Sequence, residues 1–127
     1  MNAPAIALVF AGAGTGGVAR YLLNTWLNPL LAALPLGTLA ANLLGCAAAG
    51  AMLGFLDQRM DLDATLRPLV IVGFLGGLTT FSSFSLEVVQ ALENDKALLA
   101  TGIVLLHVGG SIAAAIAGLL ASRALLA

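Results

Sequence analysis

The run from Gly73 to Glu87, GFLGGLTTFSSFSLE, holds most of this chain's capacity for chemistry. Adjacent Gly76 and Gly77 are followed by Thr79, Thr80, Ser82, Ser83 and Ser85, with Phe81 and Phe84 interleaved. Paired glycines and clustered hydroxyl residues sustain a helix poorly, so a break is expected here. A break frees backbone carbonyls, which suit a hard cation. It also starts a new half-helix, whose N-terminal amides suit an anion. Phe81 and Phe84, three apart, share a face; their interleaving with hydroxyls favours a lined path over plain packing.

Three further polar residues stand out against apolar neighbours. Asn42 reads as interhelical glue or as a pore-facing donor, since a buried amide in lipid is costly unless hydrogen-bonded. His107 and Ser111 are one helical turn apart and face the same way. A lone histidine is weak evidence for metal binding or catalysis, and a hydrogen-bonded interior role is favoured. Glu87 reads as a vestibule group or as the water-facing end of its helix. Gly12 to Gly17 formally matches GxGxxG, but that fingerprint needs a preceding strand and an acid about 20 positions on. Here it lies in an apolar helix and the first acid is Asp57, so a dinucleotide site is rejected.

The elements that must position these groups follow from composition. Of 127 residues, 61% are apolar and 9% charged, with net charge −1; soluble domains carry about 25% charged residues. A soluble enzyme, a nucleic-acid binder and a disordered linker are excluded. Cys46, the single cysteine, allows no internal disulfide. Charge-free runs cover 1–19, 21–56, 68–86 and 97–122, and a spanning helix needs about 20 apolar residues. Pro29 and Pro35 divide the longest run, with Trp26 at an interfacial turn. The reading is one domain, 1–127, an all-α membrane protein of four transmembrane helices at about 4–26, 36–56, 67–92 and 97–123. The third is broken at mid-span. No basic residue precedes the first apolar run, so no cleavable leader is expected.

Arg59, Arg67 and Arg123 fall on one side of the bilayer, Arg20 and Lys96 on the other. This bias is too weak to fix orientation, which makes insertion both ways up, and hence an antiparallel homodimer, plausible. Small residues recur at spacing four in every helix: Gly12 and Gly16, Gly50 and Gly54, Gly73 and Gly77, and Gly110, Ala114 and Gly118. Such spacing lets backbones approach closely in lipid.

Taken together, GTGGVARY at 14–21, GTLAANLLG at 37–45 and the run 73–87 resemble the Fluc (CrcB) family of bacterial fluoride channels across essentially the whole chain. The resemblance implies a passive fluoride channel that confers fluoride resistance. It implies a multi-pass protein of the bacterial inner membrane, assembled in the lipid bilayer with a second, antiparallel copy of itself. It also implies one structural sodium ion on the two-fold axis, held by the carbonyls of Gly76 and Thr79. Asn42, Phe81 and Phe84 would line the fluoride path, with Ser111 on its polar wall beside Thr80, Ser82, Ser83 and His107. Arg20 matches the family's basic residue in the first helix and Glu87 its vestibule carboxylate. Many members have threonine at the position of Ser83, and some have serine at that of His107.

The chemistry suits fluoride, a small, strongly hydrated acceptor. Amide and hydroxyl donors and the positive edges of aromatic rings can replace its water. A path without a fixed cation avoids over-binding. Two rivals are weighed. A small dual-topology proton-coupled exporter needs a carboxylate within its first helix, and this chain has none there. An intramembrane serine hydrolase pairing Ser82, Ser83 or Ser85 with His107 lacks a GxSxG elbow. No enzymatic activity is therefore expected.

Overall fold

The computed structural model describes residues 2–127, and nearly all of them are helical. Among the described residues, four helical spans are long and apolar enough to cross a membrane. α1 covers Ala3–Leu27, with Asn2 capping its start through a side-chain bond to the Ala5 amide. α2 covers Leu36–Leu56. The third span comprises α3, residues 63–78, and α4, Phe81–Glu93. α5, Ala97–Leu126, is the fourth span. The third helix thus begins at 63 rather than at the expected 67. Asp63 holds Arg67 at 2.7 Å within that extra turn, so both charges sit inside the helix instead of ending it.

The links are short and specific. After α1 a 3₁₀ turn at Asn28–Leu30 carries Pro29. The Asn28 side chain accepts the Gly37 amide at 2.8 Å, tying the turn to the start of α2. Between α4 and α5 the chain reverses at Asp95, whose φ of 57° is left-handed. A short polar side chain tolerates that conformation, and the Lys96 amide closes the turn on the Ala91 carbonyl at 2.9 Å.

Packing pairs the spans in parallel: α1 against α3, and α2 against the second half of α5. Glycines bring the backbones together in both seams. A Cβ on Gly12 or Gly16 would collide with the Leu69 or Phe74 carbonyl, and one on Gly50 or Gly118 with the Ala115 or Ala47 carbonyl. The small-residue spacing therefore serves backbone contact, as helix association in lipid requires. Buried apolar side chains gather in two small clusters, Ala41–Leu75–Leu78 and Phe84–Ala91–Ala100–Ile103, with Leu56 buried apart from both. Large apolar side chains such as Phe10, Tyr21, Trp26, Leu98 and Leu105 face outward, as expected of a surface solvated by acyl chains.

Arg67–Leu75 of α3 is wound as a π-helix, and two further departures from α-helical geometry position the polar groups. Thr79 (φ −79°, ψ 154°) and Thr80 (φ −152°, ψ 122°) are extended, so the third span bends between α3 and α4. In α5, residues Leu105–Gly109 form a wider π-helical turn with His107 near its middle. Such turns often mark functional positions.

Candidate functional site

The bend in the third span is held by side chains. The Thr80 hydroxyl caps α4 by accepting the Ser83 amide at 3.1 Å. The Thr80 amide donates to Asn42 Oδ1 at 2.7 Å, and Asn42 Nδ2 donates back to the Thr80 carbonyl at 3.1 Å. In an unbroken helix the amides of Thr80 and Ser83 would bond the carbonyls of Gly76 and Thr79. Both amides are diverted, so these two carbonyls lose their helical donors.

Beside the bend lies an open cleft of about 300 Å³ lined by Asn42, Cys46, Thr79, Thr80, Phe81, Phe84, His107, Val108, Ser111 and Ile112. Phe81 and Phe84 meet edge to face, with centroids 5.2 Å apart and planes at 70°. They differ in burial: Phe84 is 6% exposed and Phe81 76%. Phe84 also stacks on His107 at 4.8 Å. His107 Nδ1 lies 3.0 Å from Asn42 Nδ2, and its Nε2 lies 3.9 Å from Glu87 Oε2.

Glu87 lines a second cavity, of about 280 Å³, with Asn28, Gln90, Asn94 and Lys96 near the ends of the third and fourth spans. His107 and Glu87 therefore stand between the mid-span cleft and a polar mouth. Thr38, one turn before Asn42 on α2 and fully buried, adds a hydroxyl to the same face. Its i, i+4 relation to Asn42 was the available sequence signal, and sequence reasoning passed it over. Cys46, one further turn along, was missed in the same way.

Most of the expected site residues meet, and some do not. Asn42, Thr80, Phe81, Phe84, His107 and Ser111 share the cleft. Ser82 and Ser83 lie apart from it. Ser83 accepts from Arg20 Nη1 at 3.4 Å and from the Thr80 hydroxyl at 3.2 Å. Ser82 is exposed, 3.3 Å from the Thr80 hydroxyl. Arg20 is therefore beside the bend, away from the cavity that Glu87 lines. Ser85 donates to the Phe81 carbonyl. Among the described residues, none of the three serines bonds His107, as a hydrolase would need. Gly76 is exposed, and a Cβ there would meet only the Ile71 carbonyl, at 3.7 Å.

Comparison with known proteins gives a consistent result. Residues 7–119 match the family described as CrcB-like protein, Camphor Resistance (CrcB). The chain is 45% identical over 105 residues to fluoride-specific ion channel FluC 1 of Yersinia pestis, covering 83% of each chain. It is 45% identical over 104 residues to fluoride-specific ion channel FluC of Serratia proteamaculans, covering 82% of each. With FluC of Albidiferax ferrireducens it shares 47% identity over 116 residues, 91% of this chain and 88% of that one.

Proposed function

The chain belongs to the CrcB family, and we propose that it is a passive, fluoride-selective channel through which cytoplasmic fluoride leaves the cell, conferring fluoride resistance. The observation that carries this reading is the cleft at the bend. It is an aromatic pair set edge to face, with two threonines, a serine, an asparagine and a histidine around it, and no fixed cation among its lining residues. Ring edges and hydroxyl donors can replace the water of a small anion without holding it too tightly to leave. In acidified surroundings fluoride takes up a proton, and the neutral HF crosses the membrane and ionises in the neutral cytoplasm. A passive path for the anion is then enough to lower its concentration.

In this reading the working unit is an antiparallel homodimer in the bacterial inner membrane. The near balance of basic residues supports insertion both ways up. The outward position of Phe81 and Gly76 supports a second copy covering them. A structural sodium ion fits the same place. The carbonyls that the resemblance assigns to it, those of Gly76 and Thr79, are the ones whose helical donors are diverted, and carbonyl oxygens suit a hard cation. The ion would neutralise the ends of the interrupted helices and brace the two copies.

The direct test is fluoride efflux, read by electrode, from liposomes holding the purified protein. Fluoride is expected to run down its gradient with no pH difference imposed. No flux, or flux only with a proton gradient, would overturn the channel reading. Topology has its own check: a cysteine at Asp61, in a Cys46→Ala background, should label from both faces of the membrane. Labelling from one face alone would exclude dual insertion.

A further inference from the structure

The bend in the third span reaches past α2 to a side chain on α5. Thr80 offers its backbone N–H only as a donor and its carbonyl only as an acceptor, and both face Asn42, at 2.7 and 3.1 Å. A flipped carboxamide would set N–H against NH₂ and oxygen against oxygen, so this two-point contact admits one orientation of Asn42. The second Nδ2 hydrogen then faces His107 Nδ1 at 3.0 Å. Both residues are buried, Asn42 at 7% and His107 at 3% exposure. An amide NH₂ offers no acceptor, so Nδ1 must be the acceptor and carries no proton. The ring proton is on Nε2.

That Nε2 atom is buried and has no hydrogen-bond partner among the described residues. Glu87 Oε2 is 3.9 Å from it, beyond hydrogen-bond range, and is itself without a partner among the described residues. Phe84, stacked on the imidazole with planes 23° apart, limits rotation of the ring. We propose that Asn42 is a positioning residue that locks His107 as its Nε2–H tautomer. The passage between the mid-span cleft and the mouth at Glu87 therefore presents a donor to a small hydrogen-bond-accepting anion. The opposite tautomer would turn a lone pair toward the anion and obstruct it. The identity of the anion rests on the channel reading; the tautomer does not.

The chain has one histidine, so ¹⁵N-histidine labelling of the whole protein in lipid reports this residue alone. The protonated ring nitrogen of the wild type should couple to both carbon-bound ring protons, which identifies it as Nε2. A proton on Nδ1, or an averaged mixture of tautomers, would overturn the proposal. Asn42→Asp keeps an acceptor for the Thr80 amide but turns the atom facing Nδ1 into an acceptor. In folded Asn42→Asp protein the proton should move to Nδ1, and fluoride efflux should fall at least tenfold, about 1.4 kcal/mol. An unchanged tautomer would remove Asn42 from the role. Should that variant not fold, Asn42→Ala should show a tautomer mixture, and a persistent single Nε2–H form would equally overturn it. Efflux by the wild type is read on the same preparation. Its absence would sink the channel reading while the spectrum still decides the tautomer.

Discussion

α2 touches its neighbours in two ways. Against α5 its backbone comes close because Gly50 and Gly118 carry no side chain, and each sits on an opposing carbonyl. Against the third span it holds on because Asn42 does carry one, whose polar atoms reach Thr80 and His107. The first contact is non-specific in chemistry and strict in volume. The second tolerates an irregular backbone that would otherwise be costly at membrane depth. Backbone packing and polar hydrogen bonding are thus assigned to opposite ends of α2, and they should fail differently.

Breaking the volume-limited seam should have the largest effect. Gly118→Val drives a branched side chain into the Ala47 carbonyl, and the helices must part. Overpacking commonly costs about 1–3 kcal/mol and occasionally more; here the obstacle is backbone, so the upper end is expected. A sharp loss of folded protein in thermal unfolding followed by size exclusion would show it, and normal stability would mean that the seam has slack.

The cleft should fail in the opposite sense, with the fold kept and transport lost. Phe84→Ile removes a ring that meets Phe81 by its edge and His107 by its face, yet a swap to another large apolar side chain usually costs less than about 1.5 kcal/mol. Phe81→Ile, on an exposed side chain, should cost less still. Both should stay folded and lose most of their efflux. Wild-type flux from either folded variant would make that ring a packing residue.

The smallest effect sharpens the contrast between glycines. A Cβ on Gly102 meets nothing within 4 Å. Gly102→Ala should leave efflux unchanged and shift stability by no more than about 1 kcal/mol, upward if anything, since alanine favours a helix over glycine by roughly 0.5–1 kcal/mol. A large loss would mean that Gly102 has a packing partner in the membrane.

Much of this was legible along the chain. The four spans follow from runs of uncharged apolar residues, each necessarily about as long as the bilayer is thick. The irregular third span follows from Gly76-Gly77 and the hydroxyls after it, and the glycine seams from their spacing. The partners of the polar groups were less visible. Ser82 and Ser83 share the motif of Phe81 and Phe84, yet Ser83 turns to Arg20. Phe81 and Phe84 sit three apart, yet one ring is buried and the other faces outward.

Composition and hydropathy alone point to four membrane helices, because so few charges cannot solvate a globule and a helix satisfies its own backbone polar groups in lipid. Local sequence also requires a weak point where glycines and hydroxyls replace good helix formers. Only the tertiary arrangement assigns Asn42 to Thr80 and His107, 38 and 65 positions away. It likewise brings Glu87 within 3.9 Å of His107 and sends Arg20 to Ser83. Hydrogen bonds are short-ranged and directional, so which donor meets which acceptor is settled when helices dock, and periodicity along one helix carries no information about the face of another.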